Sequence, residues 1–264
     1  MNELKIISLN VRGLSNRNKR RVVFSWCKRQ KADLIYLQET HSTPDTEDLW
    51  RKEWGGKIIF SHGKSNARGT CILVRKNLDF EVNKQVTDSS GRLVILKTLI
   101  GGNEYILINI YSPNEESKSV DFFRKVGSVI ELQNFEPTEK IIMGGDFNCA
   151  LNPLLDRQGT AKFFRPKISL IDSIQDIMLK FEVQDIWRIK NPYKRSFTWQ
   201  HSGKYQFSRI DFWLTSSNLQ DEIQEVDIIP GIKTDHSAIT LRIRQNQDFQ
   251  NGARILEIQC IFVR

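Results

Sequence analysis

Asn10, Glu39, Tyr111, Asp146 with Asn148, Asp211, and Asp235 with His236 share one placement in this chain: each stands at the edge of a short apolar run. These are residue types that bind metal ions or phosphate, and strand ends are where layered α/β folds gather their sites. Hard carboxylate oxygens suit Mg²⁺, which keeps several waters and draws further ligands from a substrate phosphate. An Asp and a His beside such an ion offer base and acid functions for hydrolysis. Each residue also has a plain reading. Asn10 is a common turn former, Glu39 a common surface carboxylate, and Gly-Gly-Asp-Phe-Asn (144–148) an Asx turn. Asp235-His236 reads equally as an element terminus with a satisfied imidazole, and Tyr111 as a core ring with one hydrogen bond. What favours chemistry is that all of them occur in one chain.

The elements that must position them follow from the apolar pattern. Lys5–Val11 reads as a strand ending at Asn10, then a turn at Gly13, with Ser15 as cap of a helix bearing Val22, Val23, Trp26 and Cys27. Asp33–Leu37 is a continuous apolar run of buried-strand type. Between Lys57 and Ile110 the β-rich runs IIF, CILV, LVILKTLI and YILINI alternate with Gly, Asn and Ser turns and predict antiparallel strands. Val120, Phe123, Val126 and Ile130 predict a helix. Lys140–Met143 predicts a strand running into Gly144-Gly145-Asp146. After Pro166, Ile168, Ile171, Ile174, Met178 and Phe181 predict one face of a second helix. Ser196–Gln200, Phe207–Leu214 and Ala238–Ile243 are strand-like. No repeat or linker interrupts the chain, so one domain is expected over residues 1–244, with a tail over 245–264 of no evident role. Strand blocks with separated helices imply two packed sheets with helices outside.

Composition bounds the partners. Of 264 residues, 39% are hydrophobic, with 15 Phe and 6 Trp, enough for a real core. No apolar run approaches the roughly 20 residues of a membrane span, so no membrane partner is expected. The start, MNELKIISLN, carries Glu3 and enters a strand at once, unlike a signal peptide. Cys27, Cys71, Cys149 and Cys260 are scattered, which fits a reducing, intracellular setting rather than a disulfide or zinc framework. The net charge of +8 is concentrated: residues 1–31 hold nine Lys/Arg against Glu3 alone, and the remainder is balanced. Such clustering favours a polyanion by counterion release, although a solvated helix face reads equally well.

Six ordered blocks carry a resemblance. They are Ile7-Ser-Leu-Asn10-Val-Arg-Gly13, Leu37-Gln-Glu39-Thr40, Asn109-Ile-Tyr111-Ser-Pro-Asn114, Gly145-Asp146-Phe-Asn148, Arg209-Ile-Asp211-Phe-Trp-Leu214 and Thr234-Asp235-His236-Ser237. Together they resemble the exonuclease III-like endonuclease/exonuclease/phosphatase superfamily from about residue 5 to 243. Gln38-Glu39-Thr40-His41, Thr234–Ala238 and Ser196-Phe-Thr198-Trp199 look most like the endonuclease domain of non-LTR (LINE-type) retrotransposons. The resemblance implies a DNase I-like, four-layer α/β/β/α sandwich and a Mg²⁺-dependent endonuclease, with Mn²⁺ as a substitute ion, that nicks double-stranded DNA and leaves a 3′ hydroxyl.

By the same resemblance Glu39 is the principal metal ligand, supported by Asn10 and Asp235, with Asp146, Asn148 and His236 also in the metal site. Tyr111 and Asn148 hold the scissile phosphate, Asp146 orients or deprotonates the attacking water, and His236, oriented by Asp211, meets a non-bridging oxygen. Arg12, Arg17, Lys194, Arg195 and Thr198 are the expected DNA contacts. Three alternatives stay open: an exonuclease III/AP endonuclease-type repair enzyme, an inactive retroelement relic, and a lipid headgroup phosphatase. A reverse transcriptase or larger retroelement polyprotein is the implied partner, since this chain has no Tyr/Phe-x-Asp-Asp polymerase motif. Action on genomic DNA implies a nuclear location.

Overall fold

The computed structural model describes residues 2–136, 138–160 and 165–245. Its apolar strand runs form two six-stranded sheets. The first has the order β14 (Ile223–Ile229), β15 (Ala238–Gln245), β1 (Asn2–Asn10), β2 (Leu34–Gln38), β4 (Thr70–Val74), β3 (Ile58–Ser61). The second has the order β10 (Val183–Asp185), β13 (Asp211–Ser216), β8 (Lys140–Asp146), β7 (Asn103–Tyr111), β6 (Leu93–Ile100), β5 (Phe80–Thr87). A small third sheet joins β11 (Trp199–Gln200), β12 (Phe207–Ser208) and β9 (Arg157–Gln158). β1–β2 and β7–β8 are parallel, and the middle third is antiparallel as its turn-separated runs predict.

Three apolar cores separate four layers. Leu4, Ile6, Tyr36, Leu107, Ile142 and Trp213 pack between the two sheets. The opposite faces of the same strands, through Ile7, Leu9, Ile35 and Leu37, pack on α1 (Arg17–Arg29) and α2 (Glu47–Trp54). Ile106, Ile108, Met143 and Phe212 pack on α3 (Glu116–Glu131) and α5 (Ile168–Lys180). Strands apolar on both faces read as continuous runs, which is why periodicity found them. The arrangement is the expected α/β/β/α sandwich. Two shorter helices, α4 (Pro153–Asp156) and α6 (Ile186–Lys190), complete it, and no helix among the described residues is long and apolar enough to cross a membrane.

Several expectations are corrected. Asn16, not Ser15, caps α1, its Oδ1 accepting from Lys19 N at 3.0 Å, while Ser15 Oγ donates to the Ser65 carbonyl at 2.9 Å. Val22 is exposed rather than core. On α5 the buried stripe is Leu170, Ile174 and Ile177, with Ile168 63% exposed, because the face that meets α3 is rotated from the one the largest side chains suggest. Phe207–Leu214 is not one strand; β12 pairs with the small sheet and β13 with β8, and the break at Arg209-Ile210 lets Arg209 enter a buried ion-pair network. Only Trp199–Gln200 of the 196–200 run is a strand. Helix α2 and strand β14 were not anticipated, although Trp50 and Trp54 at i, i+4 and the left-handed Gly55 behind them mark the helix. Strand β15 runs through Gln245, one residue past the expected boundary, and the rest of the expected tail lies outside the described residues.

Polar side chains also cross the apolar space between the sheets. Gln38 Nε2 donates to Ser8 Oγ at 2.9 Å and to Asn109 Oδ1 at 2.8 Å. Asn109 Nδ2 donates to the carbonyls of Leu37 at 3.2 Å and Cys71 at 2.9 Å. All three side chains are fully buried, so removing one leaves the others unpaired at full desolvation cost. Asn109→Ala is expected to destabilise the fold by about 1–3 kcal/mol, read as a lower urea midpoint at unchanged m.

Candidate active site

Period-two alternation decides which side chains meet. Counting by twos from the inter-sheet core, Ile6 leads to Ser8 and Asn10, Tyr36 to Gln38, Leu107 to Asn109 and Tyr111, and Ile142 to Gly144 and Asp146. Trp213 leads back to Asp211. All of these therefore face the space between the sheets, at one end of it. Register supplies the lateral neighbours: Asp146 lies opposite Asp211 on antiparallel β13 and opposite Tyr111 on parallel β7. Gly144 is required here, since a Cβ would sit 2.2 Å from the Trp213 ring.

Hydrogen bonds tie these groups into one network. Asn10 Nδ2 donates to Glu39 Oε1 at 3.0 Å and to Asp146 Oδ2 at 2.9 Å. Tyr111 donates its hydroxyl to the same Glu39 oxygen at 2.8 Å. Asp146 Oδ1 accepts from Asn148 N at 2.9 Å, and Asn148 Nδ2 donates to the Ser112 carbonyl at 2.9 Å. His236 Nδ1 meets both oxygens of Asp211, at 2.9 and 3.2 Å. Asp235 accepts from Arg12 at 3.3 Å and from the Trp199 indole at 3.2 Å. The 234–237 loop is held by Thr234 Oγ1 donating to the Asn10 carbonyl and by Ser237 N donating to the Thr198 carbonyl.

Electrostatics sharpen the picture. Burial and the neighbouring Asp211 push Asp146 up to about 7, against the opposing pull of His236, Asn10 and Asn148. Burial alone would lower His236; Asp211 beside it, with Asp146 and Asp235 near, carries it up to about 9, so the imidazole is charged at neutral pH. Tyr111 is raised by burial and by Glu39 and Asp146, and stays a phenol. The site thus holds desolvated carboxylates against one cationic ring. Carboxylate oxygens are the hard donors a Mg²⁺-type cation takes, and the Asn10 amide links two such groups, Glu39 and Asp146. Atoms of Asp146, Asp211 and His236 lie within 4.8 Å of one another. A divalent cation fits the carboxylate oxygens of this cluster.

The other expected residues divide. Asn10 turns its amide nitrogen to the carboxylates while its oxygen accepts from Arg12 N at 3.0 Å, so it bridges Glu39 and Asp146 as a donor rather than offering them a lone pair. Arg12, 63% exposed, stands at the rim. Arg17 pairs with Glu53 and lies away from the carboxylates. Lys194 and Arg195 are exposed, and Arg195 enters a cleft of about 650 Å³ that Trp199, Asp235 and His236 also line. Thr198 is 1% exposed and its hydroxyl accepts from Ile210 N and Asp211 N, both at 3.0 Å, so its side chain is committed to positioning Asp211 rather than standing out as a contact for DNA.

Three contributors escaped the sequence reading. Lys167 Nζ donates to the carbonyls of Asn114 at 3.0 Å and Asn148 at 3.1 Å, stitching together the loops that follow β7 and β8; nothing local signals it. Arg92 lies 4.7 Å over the Tyr111 ring and donates to the Tyr111 carbonyl. Arg209, 1% exposed, pairs with Asp156 and Asp185, and its signal was legible, since a charge next to an apolar strand must find a buried partner.

The profile of the Endonuclease/Exonuclease/phosphatase family matches residues 7–236. A Xenopus laevis protein described as "Transposon TX1 uncharacterized 149 kDa protein" is 30% identical over 242 residues, which cover 91% of this chain and 18% of that protein. A Bacillus subtilis exodeoxyribonuclease is 22% identical over 268 residues, covering 91% of this chain and 99% of its own. The structure of an AP endonuclease from Archaeoglobus fulgidus superposes with a TM-score of 0.74 at 20% identity, over 90% of this chain and 98% of that one, and shares the fold.

The raised pKa of His236 makes stability pH-dependent. A folded value above the unfolded one means the contribution is complete below about 6.5 and is lost as pH rises through about 9. The stability difference between wild type and His236→Gln should therefore shrink over that window, by roughly 3 kcal/mol at most, in urea titrations at stepped pH.

Proposed function

This chain belongs to the Endonuclease/Exonuclease/phosphatase family, and from that premise we propose that it is a Mg²⁺-dependent endonuclease that nicks double-stranded DNA and leaves a 3′ hydroxyl, as the endonuclease module of a non-LTR retroelement. One observation carries this reading: Asp146 and Asp211 face each other, buried, with a charged His236 beside them at the mouth of an open cleft. Such a centre is suited to an anionic diester that arrives with a cation.

Glu39 and Asp146 would hold the ion, spaced by the Asn10 amide, with Asp235 nearby; Mg²⁺, or Mn²⁺ in its place, would supply neutralisation of the phosphate and of the departing 3′ oxygen. Asp146, buried beside Asp211, is placed to orient the attacking water or accept its proton. His236, oriented by Asp211, presents its ring to a non-bridging oxygen of the phosphate. Tyr111 and Asn148 donate to the phosphate after releasing Glu39 and the Ser112 carbonyl, their partners in the free protein.

The duplex would be positioned by Arg12, Lys194 and Arg195 at the rim and by the outward face of α1, where Asn18, Arg21, Val22, Ser25 and Arg29 line one surface without an acidic residue. Arg20 takes no part, since it is buried on Glu53. The Xenopus relative, described as a transposon protein, is far longer than the matching segment, which supports residues 1–244 as one module of a larger retroelement protein; in this reading a reverse transcriptase would be its partner and nuclear DNA its substrate. The near full-length match to an exodeoxyribonuclease supports a second reading, a repair-type nuclease acting on abasic or 3′-terminal sites.

Supercoiled plasmid incubated with Mg²⁺ should become nicked circles, and Asp146→Ala and His236→Ala should each slow this by about 10²-fold or more. An abasic duplex cut much faster than intact DNA would favour the repair reading, and no cleavage of either by folded protein would overturn nuclease function. Arg21→Ala combined with Arg29→Ala should reduce the slope of log affinity against log salt by about 2 while leaving the rate at saturating DNA unchanged.

A further inference from the structure

A line of polar side chains outside the site runs from the surface to the residue next to Glu39. Glu47, at the start of α2, accepts from Arg51 at 2.7 Å and lies 2.8 Å from His62 Nε2. The other ring nitrogen, Nδ1, lies 3.0 Å from Ser42 Oγ, and Ser42 Oγ accepts from Thr40 Oγ1 at 3.1 Å. Phe60 stacks on the imidazole at 5.1 Å between ring centres, which fixes its plane. The Glu47 carboxylate selects the tautomer with the proton on Nε2, leaving Nδ1 to accept from Ser42. Ser42 then has lone pairs free for Thr40, so every hydroxyl in the line donates in one direction.

Ser42, His62 and Glu47 have the polarity of a nucleophile–base–acid relay. Ser42, however, is 0% exposed, so no substrate reaches its oxygen. The line ends instead on a turn that needs holding. Glu39 has φ +52° and His41 φ +57°, a left-handed backbone that non-glycine residues keep only where the surroundings impose it. Main-chain bonds secure part of the turn, from Gly13 N to the Glu39 carbonyl at 2.7 Å, from Thr40 N to Gly69 at 2.9 Å and from His41 N to Arg68 at 2.8 Å. The side-chain restraint comes through Thr40, Ser42 and His62.

We propose that His62 is a positioning residue for Glu39: by locking Ser42 and Thr40 it holds the left-handed turn that aims the Glu39 carboxylate at Asn10 and Asp146, and so sets the site's affinity for a divalent cation. This rests on Glu39 being a cation ligand, as proposed above. Partners behind a ligand typically contribute 10–100-fold in metal affinity.

Titration calorimetry of the full chain with Mn²⁺ alone, without DNA, tests it. His62→Ala is expected to bind Mn²⁺ about 10-fold more weakly. His62→Asn, whose amide still reaches Ser42, should recover most of the loss. In a Glu39→Ala background His62→Ala should add nothing. Ile177→Val, which trims the distant α5 core, should lower the melting temperature without changing affinity. If His62→Ala does not fold, Ser42→Ala carries the same expectation. Wild-type affinity in His62→Ala while Glu39→Ala is defective overturns the positioning role, as does an equal loss in Ile177→Val. Unchanged affinity in Glu39→Ala overturns the ligand assignment beneath it.

Discussion

The structure depends on how the space between its two sheets changes character along the strands. Over most of their length that space is filled by Tyr36, Leu107, Ile142 and Trp213. At one end the same inward positions carry Ser8, Asn10, Gln38, Asn109, Tyr111, Asp146 and Asp211. Polar groups can be buried there only if they satisfy one another. The hydrogen bond from Gln38 Nε2 to Asn109 Oδ1 crosses between the sheets and ties β2 to β7. It thereby fixes the distance across which Asn10 and Glu39, from one sheet, meet Asp146 and Tyr111 from the other. The catalytic end is the polar edge of the core itself.

Charge follows from that placement. Two carboxylates on directly opposed residues of β8 and β13 repel each other in a desolvated space, and the folded chain tolerates them because His236 brings a positive ring to Asp211. The position of Asp211 is in turn secured from behind. Thr198 receives the amides of Ile210 and Asp211, and Arg209 is locked between Asp156 and Asp185 while lying against Trp187 and Phe212. A buried ion pair of this kind adds little net stability over apolar packing, but losing one partner is costly. Its effect here is to hold the chain where β12 ends and β13 begins.

The loops that close the site are strained by local standards. Arg12, Glu39, His41 and Asn148 all have positive φ. Each lies one to three residues after an inward-facing polar residue (Asn10, Gln38 or Asp146), in a turn that re-aims the chain and is pinned by bonds from a different element. Left-handed geometry at non-glycine residues clusters where a functional constraint outweighs local preference. The imposed direction lets side chains from five strand ends and the loop between β14 and β15 converge.

Much of this was legible before any coordinates. Continuous apolar runs marked β1, β2, β7 and β8 because both their faces are buried, and the six ordered blocks marked Asn10, Glu39, Tyr111, Asp146, Asn148, Asp211, Asp235 and His236 as one set. Residue type and the period of two are local properties, so the chain by itself determined the layers, while the family resemblance of the six blocks pointed to the candidate site. Partnership is not local. Only the tertiary structure decided that Asn10 presents nitrogen rather than oxygen to the carboxylates, that Thr198 is buried beneath Asp211, and that Lys167, 19 residues from Asn148, clamps its carbonyl. Which face of α5 is buried and how the 207–214 run divides were likewise settled by the neighbours each segment meets. Burial and hydrogen-bond partners depend on long-range packing, and no window of sequence contains both halves of such a contact.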